Sequence, residues 1–452
     1  MSTSAKPLPA EMIEVVVHAL DRDHPYMHLH LLVDLDQRIA KDDLVAAAHG
    51  LVAAFPVLGC RYQPHWWRDH WVPWEGDLAT MCHVAHPEDL EAATQAWAAR
   101  PMRYLEEPTM RLAFFETVTG GRLVLSVHHM TADGGGLKAA GAVLSALLCG
   151  VEPAPTPSDD RKLMNVTRSL RASDMPVLLH EMVREGISPI SMLQVQELNH
   201  AIPSGSGDPD PHWRPVTLSA ERTARFVAAC KSRGATINDA LVATVARMAA
   251  GRSQRGPVMV AYTVDLRRYL RTELAQVTNL AGVTMVVLDR ASTQAASAAV
   301  QAVSRIIGDQ KQRLTGLAYA LLPAFTVGWL PHCIVRRVGA MIIGWILKRF
   351  HRCLAITNIG SLDAVVAPFG DAATAASIAG PFVHRNRAPI INATGFRGGL
   401  TLQVVSTATH SPEDLEAFAV ELEALLDQTV AMDETVAMDE TVAMDETVVL
   451  GA

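Results

Sequence analysis

Leu125–Gly136 reads LSVHHMTADGGG: two adjacent histidines, an acid four residues after the second, then three glycines. In the preceding run RLVLSVHH, alternation gathers Leu123, Leu125 and Val127 on one face of a strand and Val124, Ser126 and His128 on the other. Continued alternation sends His128 and His129 to opposite sides, so one ring faces packing and the other a cleft. Beyond TADGGG, the segment LKAAGAVLSALLCG carries Leu137, Leu144, Leu147 and Leu148 as the buried stripe of a helix. The glycines permit a tight turn and close backbone approach between strand and helix.

A histidine at a strand end, followed by an acid four residues on, suits a general base whose ring or loop that acid holds. The bland alternative is two satisfied core histidines beside a glycine turn. A metal site is disfavoured: the adjacent histidines project to opposite faces, no HxxxH or HExxH helix accompanies them, and Asp133 alone cannot complete a coordination shell.

Strand and helix patterns extend on both sides. YMHLHLLVDL and MRLAFFETV alternate like strands, while KDDLVAAAHGLVAAF has helical spacing. Later in the chain HWRPVTLS, PVMVAYTVDL, LAGVTMVVL, CLAITNIG and LTLQVVSTA are strand-like, and AERTARFVAACKSRG and INDALVATVARMAA are helical. The stretches CGVEPAPTPSDD (Cys149–Asp160) and IPSGSGDPDPHWRP (Ile202–Pro215) are dense in turn-forming residues and bracket a helical segment, Arg161–Leu198. This divides the chain into an N-terminal half, 1–200, a C-terminal half, 201–428, and a tail, 429–452. The fold class expected is α/β, with two α/β sandwich halves and a site between them.

With 452 residues, of which 49% are hydrophobic and 19% charged, the chain has ample material for two cores. Its six cysteines are scattered without a CxxC pair, which predicts free thiols and neither disulfides nor structural zinc. The N-terminal twenty residues lack the charged start and clean apolar run of a secretory signal, so a cytoplasmic location is expected. Net charge is −8, and three copies of TVAMDE between Thr429 and Glu446 carry six of the negative charges, leaving −2 elsewhere (−8 minus −6). A near-neutral body lacks the basic footprint of a nucleic-acid binder. The repeat itself reads as a disordered tail.

HHMTADGGG resembles the HHxxxDG motif of the condensation-domain and CoA-dependent acyltransferase superfamily, whose fold is chloramphenicol-acetyltransferase-like. AAFPVLGCRY, EEPTMRLAFFE, GATINDALVATV, VDLRRYL, NLAGV and AITNIG resemble further segments of that superfamily, so that only the tail falls outside. The plant-type DFGWG motif is absent. The resemblance implies an active site in a tunnel between two halves, with His129 as the catalytic base and His128 as its structural neighbour. It also implies that Asp133, followed by Gly134, pairs with an arginine from the second half, best matched by Arg267, and that Thr357 and Asn358 lie near the tunnel. The implied activity is a stand-alone acyltransferase. It moves an acyl group from acyl-CoA or a carrier-protein phosphopantetheinyl thioester to a hydroxyl or amine, in lipid or natural-product (nonribosomal peptide or polyketide) biosynthesis. No permanently bound cofactor is expected; the thioester is a co-substrate. The alternative is a non-catalytic condensation-like module that recruits a carrier protein. Nothing resembles GxSxG, so direct attack by the acceptor is favoured over a covalent enzyme intermediate.

One further segment stands out. Leu314–Val335, LTGLAYALLPAFTVGWLPHCIV, has no charged side chain, yet Pro323 and Pro331 interrupt it. Lys311, Arg313, Arg336, Arg337, Lys348, Arg349 and Arg352 surround it with no acid between Gln310 and Leu362. Arg336, Arg337, Lys348 and Arg349 are expected to dock a thioester donor, a carrier protein or an anionic membrane surface, with peripheral rather than spanning contact.

Overall fold

Period-two apolar runs in this chain become strands and period-3.6 runs become helices that cover them. The computed structural model describes residues 6–21, 26–153, 161–192, 212–252, 256–270, 277–339, 341, 353–382, 388–406 and 410–449. Along the chain the elements are β1 (Leu8–Pro9), α1 (Met12–Asp21), β2 (His28–Leu35), α2 (Lys41–Ala54), β3 (Cys60–Gln63), β4 (His70–Pro73), β5 (Cys82–Ala85), α3 (Leu90–Ala98), β6 (Met110–Glu116), β7 (Gly121–His128), α4 (Gly134–Leu148) and α5 (Asp174–Met192). The second half contributes β8 (His212–Leu218), α6 (Ala220–Lys231), α7 (Ile237–Arg252), β9 (Val258–Asp265), β10 (Ala281–Leu288), α8 (Ala296–Gln312), α9 (Thr315–Val327), β11 (Leu354–Ser361), β12 (Ala373–Ala379), β13 (Ile390–Phe396), β14 (Gly399–Ser406) and α10 (Pro412–Val449).

These strands form two large sheets, a five-stranded one ordered β12-β2-β7-β6-β5 and a six-stranded one ordered β10-β9-β11-β13-β14-β8, beside a small sheet β1-β4-β3. The architecture is thus the expected α/β pair of layered halves. In the first sheet, Leu29, Leu31, Leu125 and Val127 face α2 and α4 in one core. In the second, Val260, Ile356, Ile391 and Leu402 meet α7, α8 and the start of α10.

A strand from the second half completes the first sheet: β12 runs antiparallel to β2, with Ile378 opposite Leu31. The opposite face of the first sheet meets residues of the second half in a third core, where Phe382 stacks on Trp213 at 6.1 Å beside Leu32, Val124 and Phe115. The two halves are therefore joined through backbone pairing as well as packing.

The repeat follows on within the last helix. Helix α10 continues to Val449, and Thr429 and Val430 still pack on the second core, the Thr429 hydroxyl lying 3.4 Å from that of Thr244. The physical reason is that the repeat follows directly on an amphipathic helix already seated on the core, and its Ala, Met and Glu favour continuing that helix. Among the described residues, no helix is long and apolar enough to cross a membrane. The apolar run instead enters α9, whose Leu317, Ala318 and Leu321 are buried against Leu178 and Met182 of α5.

Ile378 is fully buried in the first core although it comes from the second half of the chain. Ile378→Ala should lower the unfolding free energy by about 2–5 kcal/mol. Urea denaturation followed by circular dichroism tests this, and both sheets should melt in one transition.

Candidate active site

The register of β7 against β2 sets the geometry. His128 sits opposite His28, and Ser126 opposite His30, so these four residues share the face turned away from the first core. His128 is fully buried; its Nε2 lies 2.8 Å from Asp21 Oδ2, and its ring packs 4.4 Å from that of Tyr104. Burial raises the Asp21 carboxyl above its ordinary range, against the opposing pull of its bond to His128. Asp21, at the end of α1, carried no signal in the sequence as a partner for this ring.

One residue further on, β7 has ended and the chain has begun to turn. His129 is partly exposed. Its Nδ1 lies 2.9 Å from the carbonyl oxygen of Ala132, and the Asn279 side-chain amide donates to the His129 carbonyl at 3.0 Å. A carbonyl can only accept, so Nδ1 carries the ring proton and Nε2 keeps its lone pair. Burial lowers the His129 pKa from its ordinary value, outweighing the bond to Ala132 and the charge of Asp133, so the neutral ring predominates at pH 7.

Asp133 caps the N-terminus of α4, its Oδ1 accepting from the Gly136 amide at 2.8 Å. Its Oδ2 accepts from the Leu280 amide at 2.8 Å and from Arg267 at 2.9 Å, while a second Arg267 nitrogen lies 2.8 Å from Oδ1. Burial pushes this carboxyl up, but the guanidinium and the backbone donors outweigh it and hold it below the ordinary range. Arg267, just after β9, also donates to the Thr278 carbonyl at 3.0 Å.

The three glycines now have a steric account. A Cβ on Gly135 would stand 2.4 Å from the Arg267 guanidinium, one on Gly136 would stand 3.0 Å from the Thr278 carbonyl, and one on Gly134 would press on Ile359 at 3.2 Å. The start of α4 is docked against β11 and the segment before β10, at a distance that side chains would prevent.

Thr357 and Asn358 lie on β11, where Thr357 is partly exposed and Asn358 exposed; the Asn358 side chain accepts from the Gly360 amide at 3.1 Å. Neither hydrogen-bonds to His129 or Asp133. Contact with that strand comes instead through Lys138 of α4, which donates to the Ile359 carbonyl at 3.1 Å. Arg336 pairs with the buried Asp69, and Arg337 is exposed; Lys348 and Arg349 lie outside the described residues.

Sequence reasoning missed four further residues. Asn279, inside the quoted NLAGV segment, was legible only as a landmark. Arg161 bonds Glu14 of α1 at 2.5 Å, the Thr131 carbonyl at 3.0 Å and the Val277 carbonyl at 3.0 Å, tying the motif loop to both halves. His28 and His30 are fully buried, and both ring nitrogens of His28 lack a hydrogen-bond partner among the described residues. Burial, then nearby positive groups, drives the His28 pKa well down and takes that of His30 to about 3.

No protein-family model and no curated relative matches this sequence. Solved structures do. The trichothecene 15-O-acetyltransferase of Fusarium sporotrichioides superimposes with a TM-score of 0.69 at 13% identity, covering 95% of this chain and 97% of that one. The protein has the fold of the condensation-domain and CoA-dependent acyltransferase superfamily. The first condensation domain of the CDA synthetase matches with a TM-score of 0.67 at 17% identity, over 95% of this chain and 97% of that one. Polyketide synthase associated protein 5 of Mycobacterium tuberculosis matches with 0.61 at 14%, over 94% and 100%.

Two measurements test the site's construction. Arg267→Ala leaves the Asp133 carboxylate buried without its cation and should cost about 3–5 kcal/mol in chemical denaturation. The second concerns pH. The folded pKa of His28 lies below its unfolded value, so its contribution is full above about pH 6.5 and is lost as pH falls below that value. In His28→Phe the decline of stability between pH 7 and pH 5 should be shallower by close to one proton, read from urea midpoints.

Proposed function

We propose that the protein is an acyltransferase that moves an acyl group from a CoA or carrier-protein thioester to a hydroxyl or amine acceptor, with His129 as general base. The observation that carries this reading is the His129–Ala132 hydrogen bond, which puts the ring proton on Nδ1 and leaves Nε2 unprotonated in a residue that is partly exposed. As the acceptor oxygen or nitrogen attacks the thioester carbonyl carbon, its proton passes to Nε2. The tetrahedral intermediate then collapses, the C–S bond breaks, and the leaving sulfur takes the proton from the imidazolium. No enzyme-linked intermediate is needed, and the thioester acts as co-substrate.

Asp133 and Arg267 serve as architecture in this mechanism. Both carboxylate oxygens are occupied by Arg267 and by backbone amides, and the His129 Nδ1 proton goes to Ala132 rather than to Asp133. His128 is likewise positioned by Asp21 and stays in the packing. Thr357 and Asn358 are proposed to border the substrate, and lipid or natural-product biosynthesis is the proposed setting. A non-catalytic module that only recruits a carrier protein would have no use for a neutral imidazole held in a fixed tautomer.

The test is thiol release from a panel of acyl-CoA and acyl-carrier-protein donors with alcohol and amine acceptors, with products identified by mass spectrometry. His129→Ala should lower turnover by roughly 10²–10⁴-fold with an unchanged melting curve. The acidic limb of kcat/KM should fall below pH 6.5, because burial depresses the base's pKa and activity is lost as pH drops through it. Absence of turnover with every donor, or a His129→Ala variant as active as the parent, would reject the reading.

A further inference from the structure

We propose that the surface where the β3–β4 turn, carrying Trp66 and Trp67, abuts the chain after α9, carrying Trp329, is a docking surface for an anionic lipid bilayer. These side chains are 64%, 45% and 69% exposed. They come from two segments more than 250 residues apart: the β3–β4 turn and the chain from α9 onward. The fold rivets these together. The His332 and Cys333 amides donate to the Trp67 and Trp66 carbonyls at 2.9 and 3.2 Å, and Arg68 donates to the carbonyls of Leu330 and Gly328 at 2.8 and 3.0 Å. Arg336 closes the join by pairing with Asp69 and bonding the His65 carbonyl at 3.2 Å.

The chemistry of this face matches a membrane interface. An aromatic side chain buries roughly 150–250 Å² when covered, so three indoles left about half to two-thirds exposed present several hundred Å² of apolar area. Indoles settle at the headgroup level of bilayers, and basic residues beside them are drawn to anionic lipid. Arg337 is exposed next to this face, and the Arg68 guanidinium lies 5.4 Å from the Trp67 ring. The nearby carboxylate, Asp69, is fully buried and neutralised by Arg336, and no acid occurs in sequence between Gln310 and Leu362. A fluid apolar layer suits this face better than a folded protein partner. The Trp329 indole N–H is already spent on the Thr326 carbonyl at 2.9 Å, so its exposed ring offers apolar surface and no directional bond.

The inference rests on the surface alone and is independent of the acyl-transfer reading, so its test reads binding. The full chain is sedimented with large vesicles of phosphatidylcholine, with and without phosphatidylglycerol, and tryptophan quenching by brominated acyl chains is recorded. Binding to the anionic vesicles with quenching is expected. The triple variant Trp66→Ser, Trp67→Ser, Trp329→Ser, whose melting curve should match the parent's because all three rings are exposed, should bind roughly tenfold more weakly or worse. Arg337→Gln should weaken anionic binding about fivefold and leave neutral vesicles unaffected. A parent that ignores both vesicles, or a triple variant that binds like the parent, overturns the proposal. So does light scattering that shows a parent dimer and a monomeric variant, which would assign the face to a second copy, or vesicle-free capture of an acyl carrier protein lost in the same variant.

Discussion

Asp133 is a carboxylate buried where the two halves meet, and the geometry around the motif follows from satisfying it. An unpaired charge there would be costly, and the chain answers with a guanidinium after β9, an amide from the start of α4 and an amide from just before β10. Those three partners fix how the first turn of α4 lies against the second half. Because the turn holding His129 leads directly into that helix, the ion pair also sets where the imidazole stands. The glycines are the steric counterpart of the same constraint, since the guanidinium occupies the space where a Gly135 side chain would be.

The two large sheets reinforce this join at a second place. Strand β12 leaves the second half to pair with β2, and Phe382 and Trp213 pack over the outer face of β2 and β7. His28 and His30 lie under these rings, neutral and short of hydrogen-bond partners. Burial of such polar groups costs stability. It also places a row of imidazoles from His30 to His128 beside the proposed catalytic turn.

The exposed indole face has a different physical origin. It is held by backbone carbonyls and one buried ion pair, which fix the segments that carry its exposed rings. The surface and the motif are connected through α1: Glu14 bonds both Trp71 of β4 and Arg161, which reaches the motif loop.

The sequence by itself determined the strands and helices that carry strong periodicity, and the resemblance of HHMTADGGG and VDLRRYL to the superfamily's segments pointed to His129, Asp133 and Arg267 as one constellation. Alternation in RLVLSVHH was enough to separate the environments of the two histidines, because side-chain direction in a strand is set locally. Short or sparsely patterned pieces such as β3, β4, β12 and β13 were not legible, nor was α1 with its Asp21. The repeat tail reads as disorder by composition, yet continues α10, because a helix seated on a core propagates through residues that would not nucleate one. Only the tertiary structure decided which groups satisfy His128, which carbonyl fixes the His129 tautomer, and that the segments carrying Trp66, Trp67 and Trp329 abut. Each of these depends on contacts between segments far apart in the chain, and local pattern carries no record of such distances.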